Sequence, residues 1–277
     1  MQLIYQIIYH PFINRILLLI NRSLSSAITF QLPPSGIITV KLSGGIKFKL
    51  ITNQTSYVTK LLYWNGANKF EYTPIFERLA RKIDSFIDIG ANTGYYSILA
   101  AAGNEKISVH SFEPAQGPSH YLGKNIDINQ FDKNIKAYDI ALSDMESEVE
   151  FYEVQNAKYR YLTYNLGGVG SLKKESNSKR TSTIVKTIPF DRFVEREAIQ
   201  KIDLIKIDTE GTENMILNGS HQTISKYKPI IICETLFNRI EKELETIMLS
   251  HGYEFYNHLN QKLYRVNTLV RENDNRS

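Results

Sequence analysis

Apolar positions along the chain switch between two periods, and the switches divide it into elements. Ile37 to Leu42 and Ile46 to Thr52 alternate apolar with polar residues around Ser43-Gly44-Gly45, which puts Ile38, Val40 and Leu42 on one face. That pattern predicts a β-hairpin. Pro74, followed by Ile75, Phe76, Leu79, Ala80 and Ile83 at helical spacing, predicts a helix with proline in its first turn. From residue 84 a unit of strand, turn and helix repeats. Ser85 to Ile89 reads as a short apolar strand, followed by a helix through Ile98 to Ala102 that stops at Gly103. Ile107 to Phe112 and Ile135 to Leu142 are the next strands, with a helix around Tyr121 to Asn129 between them. Val149 to Val154 and Ile184 to Ile188 form a further pair across a polar excursion over residues 155–182. Asp203 to Ile207 and Pro229 to Cys233 read as strands separated by a helix that runs to about Tyr227. Ile240, Leu244, Ile247 and Met248 then share one helical side, and Tyr253 to Leu259 and Lys262 to Val266 close the domain as a hairpin across Asn260-Gln261.

This alternation predicts an α/β fold. The expected sheet is doubly wound, Rossmann-like and mostly parallel, with helices on both faces and a terminal antiparallel strand. A helix and hairpin extension is expected over residues 1–70, one main domain over 71–270 and a polar tail over 271–277.

Composition narrows the class. The 277 residues are 42% hydrophobic and 22% charged, enough to bury a full core. A net charge of +4 with no dense basic face gives no reason to expect nucleic acid as a partner. The densest basic cluster, Lys173, Lys174, Lys179 and Arg180, reads as a solvated loop or as a contact for an anionic acceptor or membrane surface. The lone cysteine, Cys233, excludes an intramolecular disulfide and a cysteine zinc cluster, which fits a reducing, cytoplasmic location. Met1 to Phe30 is apolar but interrupted by His10, Pro11, Asn14, Arg15, Asn21 and Arg22. A spanning helix needs roughly 20 mainly apolar residues, so no transmembrane segment is expected. The segment reads as an amphipathic helix packed on the domain, or as one in peripheral contact with a membrane.

The candidate chemistry starts at Phe86-Ile87-Asp88-Ile89-Gly90-Ala91-Asn92-Thr93-Gly94-Tyr95, where a strand hands over to a helix, the place where this architecture binds ligands. A dinucleotide site needs Gly-x-Gly-x-x-Gly, yet Asn92 and Tyr95 stand where the second and third glycines belong. S-adenosylmethionine (SAM) carries no phosphate, and Asp88 suits its ammonium. Gly90, Ala91, Asn92 and Gly94 form the expected cofactor turn, with Gly90 letting backbone approach the ligand. Glu113, 23 residues after Gly90 and at the end of the next strand, can accept hydrogen bonds from both ribose hydroxyls. Asp144 is placed to meet the adenine amine or, alternatively, to cap a helix.

A second constellation follows in Asp203 to Glu213. Asp208 ends its strand, Glu210 follows two residues on, and Glu234 ends the next strand. Carboxylates at that edge suit general-base chemistry on a hydroxyl, with Asp208 the first choice and Glu210 and Glu234 behind it. Glu210 and Glu213 have an alternative role as caps of the next helix. Such carboxylates could also hold magnesium, but no histidine accompanies them and no metal site is assigned. Tyr159, Tyr161 and Tyr164 either line an acceptor groove or pack the excursion onto the domain.

Taken together, Asp88 to Tyr96 (DIGANTGYY), Phe112-Glu113-Pro114, Asn125 to Asn129 (NIDIN) and above all Ile205 to Glu213 (IKIDTEGTE) resemble the FkbM-type methyltransferase family, over roughly residues 60–240. Gly219 and the strand ending at Glu234 also fit. The resemblance implies a class I methyltransferase fold and SAM-dependent O-methylation of a hydroxyl on a polyketide, sugar or glycolipid-like acceptor. Two features depart from the pattern: Ala115 to His120 is unusual for the helix after Glu113, and the excursion is long. A nucleic-acid methyltransferase and a non-catalytic SAM-binding relative are the rival readings. Against the first, Asp208-Thr209-Glu210-Gly211 stands where base-methylating enzymes carry an Asn/Asp-Pro-Pro-Tyr/Phe stretch.

Overall fold

A computed structural model of the protein describes residues 2–24, 30–154, 156–167, 170–171, 180–235 and 239–270. The expected N-terminal helix is two, α1 (Gln2–Ile8) and α2 (Pro11–Ser23), whose axes differ by 74°. Pro11 sits in the first turn of α2, where its missing N–H costs nothing, and this fixes the break. The hairpin follows as β1 (Gly36–Lys41) and β2 (Lys47–Thr52), with Val40 opposite Phe48. Then come α3 (Tyr57–Asn65), capped by the Ser56 side chain accepting from Thr59 N–H, and α4 (Thr73–Ala80).

The central sheet is laid down by β3 (Ser85–Ile89), α5 (Tyr95–Gly103), β4 (Ser108–Phe112), α6 (Gln116–Asn129) and β5 (Ile135–Tyr138). The strand expected over 135–142 divides at Asp139-Ile140. Its second half, β6 (Ala141–Ser143), joins a separate sheet with β7 (Ser147–Val154), β8 (Gly170–Ser171) and β9 (Arg180–Pro189), in the order β6-β9-β7-β8. The chain returns through α7 (Phe190–Arg196), β10 (Leu204–Ile207), α8 (Glu213–Asn218), α9 (His221–Tyr227), β11 (Ile230–Cys233) and α10 (Glu241–Ser250). It ends in β12 (Phe255–Leu259) and β13 (Lys262–Val266). The five central strands lie in the order β11-β10-β3-β4-β5, all parallel. The chain leaves β3 towards β4 and later comes back to β3's other side as β10, so the switch point of this doubly wound sheet lies between β3 and β10.

The terminal hairpin corrects one expectation. It turns at Asn260-Gln261 as the pattern required, both residues having positive φ, but it forms a two-stranded sheet of its own and adds no strand to the central one. Of its strand residues only Phe255 packs against the core, which leaves little apolar surface to seat it on the sheet edge.

Two cores sandwich the sheet. One gathers Phe76, Phe86, Ile98, Leu99 and Leu122, the other Ile89, Phe112, Phe190, Phe193 and Ile205. Each such side chain, fully buried, contributes ~1.5–3 kcal/mol. The N-terminal hairpin has no core of its own: Ile38, Val40, Phe48 and Leu50 belong to the first cluster. The NIDIN residues hold it there. Asn125 accepts from Ile51 N–H at 2.6 Å and donates to the Thr93 carbonyl at 2.8 Å, while Asn129 exchanges two hydrogen bonds with the Lys49 backbone.

Candidate active site

Strand register builds the site. Cys233, Ile207, Ile89 and Phe112 are successive partners across four strands, so the next residue of each strand, Glu234, Asp208, Gly90 and Glu113, falls in one row along the carboxyl edge. Neighbouring strands are about 4.8 Å apart, which brings these residues together without any long-range accident. All four line one cavity of about 330 Å³.

At one end Glu113, 7% exposed, is locked by backbone. Its Oε2 accepts from Asn92 N–H at 2.8 Å and its Oε1 from Ala115 N–H at 2.9 Å. Burial pushes its carboxyl up to about 7, against those two donors and Lys206. Phe112, Ile140, Ala141, Leu142 and Phe151 form an apolar slot beside it, and among the described residues no Lys, Arg or His lines the cavity. This end fits an adenosine cofactor: a fixed carboxylate for the ribose and an apolar slot for the base.

Behind the wall at the other end lies Lys206, 3% exposed, on the strand paired with that of Asp88. Its Nζ lies 3.6 Å from Asp88, 3.2 Å from Asp208 and 3.3 Å from the Gly90 carbonyl. Burial opposes the ammonium charge, but Asp208 and Asp88 outweigh it and hold its pKa well above the ordinary lysine value. Glu234 is shifted up as well, which for an acid favours the neutral form: burial, then the charges of Asp208 and Glu71, push its carboxyl up to about 7. Glu71 is raised as well, by burial, while the hydroxyl it accepts from Tyr96 opposes the rise. Glu213 braces the loop after β10 by accepting from the N–H groups of Thr209 and Gly211. That replaces a simple helix-capping role with a loop brace.

Several expected cofactor contacts are not on the cavity wall. Asp88 is fully buried between Ser97 and the Lys206 ammonium, so its carboxylate pairs with protein and does not reach the cavity. Gly90 lines the cavity, but its missing side chain makes room for protein: a Cβ there would sit 1.9 Å from the Asp208 carbonyl oxygen. Gly94 and Ala91 also lie off the wall, and a Cβ on Gly94 would meet Leu122 of α6 at 2.5 Å. Asp144 is exposed and accepts from the Ser143 hydroxyl, while its predecessors Ala141 and Leu142 line the cavity. Asn92, Glu113, Asp208, Glu210 and Glu234 do line it.

The excursion meets the site through Asn165, Leu166 and Gly167. Its tyrosines pack: Tyr159 sits edge-on to Tyr5 and Tyr9, Tyr161 accepts from Gln54, and Tyr164 stacks on His120 at 4.3 Å. The two departures noted in the sequence explain each other, because a Cβ on Gly117 in the first turn of α6 would lie 2.4 Å from the Asn165 carbonyl passing over it. Lys173, Lys174 and Lys179 lie outside the described residues. The sequence reading missed Lys206, Glu71 and Glu153. Lys206 carried a signal, a lysine inside an otherwise apolar strand. Glu71 and Glu153 carried none. Among the described residues no three His, Cys, Asp or Glu side chains are grouped to hold a metal ion.

The model of the methyltransferase FkbM domain matches residues 88–255. The methyltransferase sdnD of Sordaria araneosa is 23% identical over 189 residues, covering 61% of this chain and 73% of that protein. Among solved structures, methyltransferase FkbM of Methylobacillus flagellatus KT aligns at 15% identity and a TM-score of 0.43. That alignment covers 66% of this chain, which spans only 43% of that longer one. A SAM-dependent methyltransferase of Agrobacterium tumefaciens aligns at 10% identity and a TM-score of 0.41, over 78% of this chain and 58% of that one.

Proposed function

The chain belongs to the FkbM methyltransferase family, with SAM as cofactor, and from that premise we propose that it methylates a hydroxyl oxygen of an uncharged saccharide, glycolipid or polyketide-like acceptor. SAM supplies an electrophilic methyl on a sulfonium. The observation that carries the reading is the far wall of the cavity, where Asp208, Glu210 and Glu234 face the space that Glu113 closes at the other end.

An alcohol is a weak nucleophile until its proton is leaving. Glu234, with its carboxyl at about 7, is matched to take that proton near neutral pH and pass it to water. Asp208, expected from sequence as the base, has its Oδ2 engaged by Lys206, which suits it to orient the acceptor hydroxyl. Most of the rate then comes from holding the acceptor oxygen in line with the methyl. A wall of carboxylates repels phosphate-bearing chains, which counts against a nucleic-acid acceptor.

The test is transfer of labelled methyl from SAM to a panel of neutral polyols, amino sugars, nucleotides and RNA. Label in an alkali-stable ether supports the reading; label on nitrogen, carbon or nucleic acid overturns it. Glu234→Gln should lower kcat by roughly 100-fold or more and abolish the rise in rate between about pH 6 and about pH 8. An unchanged pH profile removes Glu234 as the base.

A further inference from the structure

Helix α2 carries apolar residues on both faces: Ile13, Leu17 and Leu18 turn inward, and two asparagines lie among them. Asn14 is fully buried, donating to the Pro33 carbonyl and accepting from Ser35 N–H at 2.8 Å. Asn21, two turns on, donates to the Phe30 carbonyl and accepts from Leu32 N–H, both at 2.9 Å. These four hydrogen bonds fix the rotation of the helix on the domain. Its outward face is apolar: Phe12 (69% exposed), Ile16, Leu19 (58%) and Ile20 recur at i, i+4, i+7 and i+8. On α1, Leu3, Ile4 and Ile7 are likewise exposed, while Tyr5 and Tyr9 turn inward against Tyr159. An ordinary surface helix confines its apolar residues to the inward face. Seven large apolar side chains, three on α1 and four on α2, are thus left facing outward, more than single scattered exposures explain.

Charge identifies what covers them. Arg15 and Arg22, seven residues apart, run along one edge of the apolar stripe, and both are exposed. Residues 1–70 contain seven Lys or Arg and no Asp or Glu, against 26 Lys or Arg and 29 Asp or Glu in the rest of the chain. An apolar stripe edged by arginine on a segment without acids matches the boundary between acyl chains and anionic headgroups. No single described helix is long and apolar enough to cross a membrane, and the bend at Pro11 with Asn14 tied to the domain keeps α2 lying along its surface.

We infer that α1 and α2 form a platform by which the protein docks on an anionic lipid bilayer. The platform is coupled to the active site through packing. Tyr5, Tyr9 and Leu18 share a cluster with Tyr159, Tyr161 and Leu162, three residues before Asn165, Leu166 and Gly167 on the cavity wall.

The test is sedimentation of the full-length protein with vesicles of phosphatidylcholine, with and without 30% phosphatidylserine. Wild type should pellet with the phosphatidylserine vesicles, and less so as salt is raised. Phe12→Glu/Leu19→Glu should lower partitioning by roughly tenfold or more, and Arg15→Glu/Arg22→Glu should lower it for anionic vesicles only. Both pairs are exposed, so thermal melts and S-adenosylhomocysteine binding should stay at wild-type values. Wild type remaining in the supernatant overturns the inference. So does Phe12→Glu/Leu19→Glu changing the oligomeric state in gel filtration without changing vesicle binding, because the patch would then join copies of the chain. Neither readout depends on which acceptor is methylated.

Discussion

The loops that follow β3 and β10 touch each other and perform different tasks, and their backbones differ accordingly. Both need left-handed residues to turn. The β3 loop uses Gly90 (φ +73°), Asn92 (φ +51°) and Gly94 (φ +87°), residue types for which that conformation is cheap. Asn92 helps itself further by accepting from Thr93 N–H at 2.7 Å. The β10 loop uses Gly211 (φ +106°) but also Glu210 (φ +57°), a long acidic side chain in a conformation it disfavours. On the function proposed above, the cofactor side is relaxed backbone anchored on Glu113, whereas the acceptor side holds Glu210 at a φ its side chain disfavours. A turn that only has to shape a cradle can be optimised for stability. A turn that must present a particular side chain cannot.

Lys206 joins the two sides, so removing it should do the most damage. Lys206→Met would leave Asp88 buried without its cation, which costs about 3–5 kcal/mol. Chemical unfolding should show the loss, and Lys206→Met/Asp88→Asn, which removes both charges, should recover much of it. If the double variant is no more stable than the single, the pair is not what holds the two loops in place.

The cofactor side is sharpened next. A ribose donates hydrogen bonds to an ionised carboxylate, so S-adenosylhomocysteine favours the charged form of Glu113. The free protein favours the neutral form, because burial raises its carboxyl from 4.5 to about 7. Two consequences have opposite signs. The free protein should lose stability as pH rises from about 4.5 to about 7, because the folded state holds the proton more tightly than the unfolded chain. Ligand affinity should rise over the upper part of the same window. Glu113→Gln should weaken binding by roughly tenfold and flatten its pH dependence, readable by calorimetry at about pH 6 and about pH 8. Unchanged affinity would remove the ribose role.

Legibility in the sequence followed the distance between interacting residues. The β3 turn, Glu113 and Asp208 were legible because each sits at the end of an apolar run, and strand ends are local features. That Asp88 faces a buried lysine was not, because Lys206 lies 118 residues later and only strand pairing brings them together. Gly90 and Gly94 were recognised as necessary, and the structure adds that a Cβ on either would meet protein, the Asp208 carbonyl and Leu122 respectively. Asp144 lies exposed and off the cavity wall because β6 leaves the central sheet just before it. Glu71 and Glu153 reach the cavity from segments without a motif, so no pattern could have named them. Even the Asn260-Gln261 hairpin was correct in register and wrong in docking, because register is set by the turn and docking by apolar surface the hairpin lacks.

The smallest effect tests the comparison most directly. If Glu210 is strained for function, Glu210→Gly should stabilise the protein by about 0.5–1 kcal/mol, because glycine adopts positive φ without a Cβ clash. The same variant should lose methyl transfer while binding S-adenosylhomocysteine normally, since its place on the cavity wall is on the acceptor side. A gain in stability with a loss of turnover is the pattern of a residue kept for chemistry against its own conformational preference. Asn92→Gly gives the control on the other loop: Asn92 already tolerates its φ and bonds Thr93, so its replacement should bring no gain. Should Glu210→Gly instead destabilise the fold, the side chain's own contacts would be holding the loop, and the two loops would differ in sequence but not in strain.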